Sequence, residues 1–180
     1  MTWQSAAPDA CTDRNDATRG SQQNTLRDAV VASRHLDAFH RHAGRVVMAN
    51  IAQTVNVLQA MVLTDPETDA LVLTPTYHVF AMNTGHHDAD ALDVRWRGEV
   101  PTSAVDDVEQ DRTVVLDLRG RDVLEHSAQV LTGPTLNAHN TAAQPDAVVP
   151  GRRDGVRPHP RGLEVDLPAH SYVTVSLDLA

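Results

Sequence analysis

The chain has 180 residues, a formal net charge of -9 and no lysine among its 15 basic side chains. That acidic balance argues against nucleic-acid binding, which needs a positive face to meet phosphates, and no apolar run approaches the roughly 20 residues a membrane helix requires. Hydrophobic residues make up 41% and aromatics only 3%, so a core of ordinary size must be built mainly from Val, Leu and Ala.

Residues 1–20 are polar and patternless and read as a disordered tail. Met1 to Ala10 has neither the basic start nor the apolar centre of a signal peptide. Cys11 is the sole cysteine, which rules out a disulfide within the chain and fits a reducing, cytoplasmic setting. A helix is expected next. Thr25-Leu26-Arg27-Asp28 resembles a capping box with Asp in place of Glu, and Leu26, Ala29, Val30, Leu36 and Phe39 fall on one helical face. Arg34, Arg41 and His42 occupy later turns, where positive charge suits the helix dipole, and Gly44 is a plausible stop.

Residues 46–52 form a short apolar run after that glycine, the pattern of a strand buried on both faces. Val55, Val57, Leu58, Met61 and Val62 fit a second, shorter helix. Helix, buried strand and helix make an α/β unit, and one strand cannot form a sheet, so the unit belongs to something larger. The pattern changes near Asp65-Pro66. Short apolar stretches at 71–73 and 77–80 are separated by Thr74-Pro75-Thr76. Beyond them Val114, Leu116 and Leu118 alternate, as do Leu163, Val165 and Leu167, and then Val173, Val175, Leu177 and Leu179. Pro168-Ala169-His170 supplies a turn. Alternation at period two marks strands with one wet face, as in a β-sandwich. Residues 141–161, rich in Pro and Gly, read as a long loop. The expected fold is therefore an α/β piece followed by an all-β sandwich.

Few residues suggest chemistry by themselves. His86-His87-Asp88 looks like a metal cluster, yet adjacent loop histidines rarely converge on one ion and no third ligand is placed by spacing. His35, His40 and His42 suit helix-end charges better than ligands. His126 and Ser127 lack any surrounding hydrolytic motif. The acidic run from Asp106 to Asp111 reads as a solvated loop, and no glycine-rich phosphate loop is present. No cofactor or metal is implied.

Several blocks taken in order carry a resemblance: residues 22–32, Phe39-His40-Arg41-His42-Ala43, residues 48–61 (MANIAQTVNVLQAM), residues 73–80 (LTPTYHVF), Ala138-His139-Asn140-Thr141 and Pro145-Asp146-Ala147-Val148. Together they resemble the C-terminal region of glycoside hydrolase family 51 α-L-arabinofuranosidases, from about residue 21 to the end, with the 48–61 block the most specific. The resemblance implies the last helix, strand and helix of a (β/α)8 barrel in residues 21–64 and a jelly-roll sandwich in residues 65–180. The barrel elements would be a helix at 22–42, a strand at 46–52 and a helix at 54–62. It also implies retaining hydrolysis of terminal α-L-arabinofuranosyl groups from arabinofuranosyl oligosaccharides, by two carboxyls about 5–5.5 Å apart.

In the family both carboxyls are glutamates on earlier barrel strands. Glu67, Glu99, Glu109, Glu125 and Glu164 lie in no matching motif, so no catalytic residue is carried over. Gln53 is carried over: it ends the strand where such barrels place their active sites, and an amide can both donate to and accept from sugar hydroxyls. The plain alternative for Gln53 is a polar strand end capping the next helix. Between Asp88 and Leu118 the chain is shorter than the family pattern, which implies a deletion from one sheet and exposed edges. Three readings follow: a truncated or split arabinofuranosidase, inactive alone because the catalytic glutamates are absent unless a separate chain supplies the missing barrel portion; a non-catalytic β-sandwich that binds carbohydrate or packs on a partner; or an unfolded, non-functional product.

Overall fold

The computed structural model describes residues 24–52, 54–66, 68–95, 97 and 110–180. The tail expected over 1–20, Cys11 and most of the acidic run lie outside the described residues. Among those described, two α-helices, eight strands and one 3-10 turn occur in the order α1, β1, β2, α2, 3-10 turn, β3 to β8.

Helix α1 (Leu26–Arg41) forms as its capping pattern indicates. The Thr25 backbone N–H and hydroxyl both donate to Asp28 Oδ2, at 2.9 and 3.0 Å. First-turn amides have no partner inside a helix. Here Leu26 and Arg27 donate theirs to the carbonyls of Ala138 and Leu136, at 2.8 and 2.9 Å. A distant loop therefore anchors the start of the helix. Its buried face is Leu26, Ala29, Ser33 and Leu36.

Two expected barrel elements do not form. Residues 46–52 are not a strand: among the described residues none pairs with them, and Val47 and Met48 are 94% and 73% exposed. The helix expected over 54–62 is replaced by a turn. Asn56 and Gln59 take positive φ values of 53° and 55°, a left-handed conformation that no helix interior tolerates in series. The Asn56 side chain instead grips Thr64, accepting from its amide and donating to its hydroxyl, both at 2.7 Å. This turn leads into β1 (Val62–Asp65), which pairs antiparallel with β2 (Ala70–Leu73).

Thr74-Pro75-Thr76 is a helix start and not merely a spacer. Thr74 Oγ1 accepts from the Tyr77 amide at 3.3 Å, and Pro75 opens α2 (Pro75–Met82) where its missing N–H costs nothing. A 3-10 turn follows over Thr84–His86.

The remaining strands make two antiparallel sheets. One has the order β3 (Arg112–Asp117), β7 (Gly162–Leu167), β6 (Val156–His159); the other has β5 (Gly151–Arg152), β4 (Val123–Thr132), β8 (Ser171–Leu179). Val114 opposes Val165 and Leu116 opposes Leu163. Those alternating residues meet Ala128, Val173, Val175 and Leu177 of the other sheet in one core. Strand β4 carries no clear alternation, because most of its first half is exposed and the consecutive Val130 and Leu131, on opposite faces, are both buried. Strands β5 and β6 lie within the expected long loop. Among the described residues β3 and β6 edge one sheet and β5 and β8 the other; residues 98–109, within the span from which a deletion is expected, lie outside the described residues.

A second core lies on the far side of the β5-β4-β8 sheet. Leu131 of β4, Val148, Val79 of α2 and Leu26, Ala29 and Leu36 of α1 form it, with Tyr172, Phe80 and Met82 packed around them. The layers are thus sheet, sheet and helix pair. Asn140 fastens the loop between. Its Nδ2 donates to the carbonyls of Leu73 and Val148 at 2.8 and 2.9 Å, and its Oδ1 accepts from the Val148 amide at 2.7 Å.

Candidate functional site

Gln53, the one site residue carried over from the resemblance, lies outside the described residues. Its flanks are placed. Ile51 is half-buried and Ala52 exposed, and the Thr54 carbonyl accepts from the amides of Met61 and Val62 at 3.0 and 3.1 Å. The backbone on the C-terminal side of position 53 is therefore held against the start of β1.

Of the glutamates, Glu67, Glu99 and Glu109 also lie outside the described residues. Glu125 is exposed on β4. Glu164 projects from the solvent face of β7 beside Asp166, and both grip one guanidinium. Arg157 Nη2 donates to Glu164 Oε1 at 2.7 Å, and Arg157 Nη1 to Asp166 Oδ2 at 2.5 Å. The hydrogen bond from Arg157, helped by one from Thr113, holds the Asp166 carboxyl below the usual range, while the two carboxylates push the Arg157 guanidinium further up. A general acid needs the opposite setting, a carboxyl kept neutral by burial or by a neighbouring negative charge. This trio is a surface ion-pair cluster.

His126 and Ser127 are consecutive on β4 and so point to opposite faces, which bars them from acting on one substrate atom. His86 stacks on His40 with ring centroids 4.5 Å apart, tying the 3-10 turn to the end of α1. Burial, then the nearby His86, pulls the His40 pKa down against the opposing pull of Asp37. Among the described residues no three His, Cys, Asp or Glu side chains converge as metal ligands would.

An open groove of about 550 Å³ lies at one end of the sandwich, lined by Asp117, Arg121, Asp122, His126, His159 and Arg161 among others. Among the described residues no Phe, Tyr or Trp ring lines it as the stacking platform that sugar-binding surfaces use. Phe80 and Tyr172 are spent on packing, covering the helix-side core. Burial raises the Tyr172 phenol against a hydrogen bond from Asn83 Nδ2 at 2.9 Å. Among the described residues no helix is long and apolar enough to cross a membrane.

Comparison with known proteins supplies what the geometry alone does not. Residues 2–171 match the family model of the α-L-arabinofuranosidase C-terminal domain. An intracellular exo-α-L-arabinofuranosidase of Bacteroides ovatus is 38% identical over 181 aligned positions, covering 87% of this chain. An intracellular exo-α-(1→5)-L-arabinofuranosidase of Streptomyces lividans is 32% identical over 73% of it. The chain spans only 35% and 23% of those two relatives. A crystal structure of the family 51 arabinofuranosidase from Xanthomonas axonopodis pv. citri superimposes on 88% of the chain with a TM-score of 0.75 and 42% identity, again over 36% of the longer protein.

Proposed function

The chain belongs to the family of α-L-arabinofuranosidase C-terminal domains, and from that premise we propose that it is the closing portion of an α-L-arabinofuranosidase and does not turn over substrate alone. The parent activity would be removal of terminal non-reducing α-L-arabinofuranosyl residues with retention, in L-arabinose metabolism inside the cell. The observation that carries this reading is the match over residues 2–171 to a domain of enzymes that continue well beyond it.

Retaining hydrolysis divides its labour between a carboxylic acid that protonates the leaving oxygen and a carboxylate that attacks the anomeric carbon. The described carboxylates offer no such pair: Glu164 and Asp166 are neutralised by Arg157 at the surface. On this reading the acid and the nucleophile reside on the portion that precedes this domain in its relatives. In the complete enzyme residues 21–64 would close a (β/α)8 barrel, and residues 65–180 would be the jelly-roll sandwich beside it. Gln53 would hydrogen-bond the hydroxyls of the bound arabinofuranosyl ring, positioning the sugar without touching the bond that breaks.

The test is incubation of the purified chain with a chromogenic α-L-arabinofuranoside. The expected result is no turnover above background. Measurable hydrolysis that disappears in Gln53→Ala would overturn the reading, because the chain would then hold a complete active site.

A further inference from the structure

The crossing between the two sheets carries the one Asp-Gly pair of the sequence, Asp154-Gly155, and no Asn-Gly pair occurs. Residues 153–155 have no regular structure and link β5 of one sheet to β6 of the other. The ends of this crossing are held. The Arg153 amide donates to the Ala128 carbonyl at 2.9 Å, and the Gly155 carbonyl accepts from the Asp166 amide at 2.8 Å. Its centre is not held. Among the described residues the Gly155 amide makes no hydrogen bond. The Asp154 side chain is 94% exposed, and its ion pair with Arg152 Nε, at 3.7 Å, is a surface contact too weak to fix it. Glycine on the C-terminal side offers its nitrogen with no Cβ in the way.

We infer that Asp154-Gly155 is a modification site, where the folded protein converts slowly and without a catalyst to an isoaspartyl linkage. The Gly155 nitrogen attacks Asp154 Cγ. A C–N bond forms, the Cγ–OH bond breaks, and the hydroxyl leaves with the amide proton as water. The product is a five-membered succinimide. A second water then opens the ring. Cleavage of the Cγ–N bond restores aspartate. Cleavage of the bond from nitrogen to the Asp154 main-chain carbonyl carbon leaves the chain running through the side chain, with a carboxylate on Cα. No oxidant, reductant or cofactor enters. An amide is a poor nucleophile, and its position one residue from the carboxyl is what makes the attack competent. The product adds one methylene to the main chain between two anchored ends, so it loosens the hydrogen bond from the Asp166 amide to the Gly155 carbonyl.

The experiment ages the purified full chain at mildly acidic pH, digests samples over several weeks and resolves the peptide that contains residue 154. The succinimide is lighter by one water. The isoaspartyl form keeps the parent mass and accepts a methyl group from an isoaspartyl-specific methyltransferase. Residue 154 should become the main methyl-accepting site, at a rate about tenfold above that of the exposed Asp90-Ala91 pair. Asp154→Glu, which would need a six-membered ring, should remove the signal. Gly155→Ala should slow it about tenfold, because its methyl hinders the nitrogen. That methyl meets only the Arg153 guanidinium, at 2.8 Å, which can swing aside. In the aged chain the Asp166 amide should exchange faster than in the fresh one. Methyl acceptance undiminished in Asp154→Glu, a rate at residue 154 no higher than at Asp90, or isomerisation confined to urea-unfolded chain would each overturn the inference.

Discussion

Residues 46–51 and strand β7 (Gly162–Leu167) are both six residues long and rich in Val, Ile, Leu or Met, yet their fates differ. Strand β7 lies between β3 and β6, and its Leu163 and Val165 are 2% and 1% exposed. Residues 46–51 have no neighbouring strand among the described residues, and Val47 is 94% exposed. The difference shows that a strand is a relation between segments: apolar composition prepares a stretch for burial, and only a partner's amides and carbonyls make it a strand.

The largest test of that contrast deletes side chains on each side of it. Leu131→Ala, in the fully buried helix-side core, should lower unfolding free energy by about 3–4 kcal/mol in urea titration. The corresponding truncation Val47→Ala should change it by less than about 0.5 kcal/mol. A cost at Val47 comparable with that at Leu131 would break the contrast, because the run would then be buried in solution. Next in size is Gly162→Ala at the head of β7. Gly162 has φ of +143°, and an added Cβ there would strike the Leu116 carbonyl. A loss of about 2–3 kcal/mol is expected by the same titration.

Asn140→Ala should cost about 2 kcal/mol, since the Leu73 and Val148 carbonyls and the Val148 amide all lose their partner. The smallest effect is a response to acid. Burial lowers the pKa of His78 against the pull of Asp146, and burial followed by His86 lowers that of His40. Each ring therefore takes up protons more readily in the unfolded chain, whose value is about 6.5. Stability should be complete above that pH and decline as pH falls through it. Urea midpoints measured at pH 7.5 and 5.5 should show the fall, and His40→Asn should reduce it. A midpoint that rises on acidification would contradict the placement of both rings.

Much of the architecture was legible where one face is wet. Alternation marked β3, β7 and β8, and Thr25 with Asp28 marked the start of α1. Strand β4 was not legible, because Ala128 and Val130 on one face and Leu131 on the other are all buried near its end. Helix α2 was missed because its eight residues are too few to display a period, although Thr74 and Pro75 carry its start signal. The misreading of 55–62 has a local cause: Val55, Leu58 and Val62 imitate helical spacing, while Asn56 and Gln59 turn the backbone left-handed. Residues 46–52 were read as a buried strand because they are composed for one. As for the site, the residues exclude a hydrolytic pair His126–Ser127 by strand geometry. Gln53 rests on resemblance, since a lone glutamine carries no pattern of its own.

Strand β4 has one further consequence. Ala128 belongs to the core between the sheets and Leu131 to the core beneath the helices, so the same few backbone hydrogen bonds to β8 support both. Loss of β4 would therefore open both cores at once. Heat should carry the whole molecule through one cooperative transition, and damage at α1 should register in amides at the opposite end of the domain.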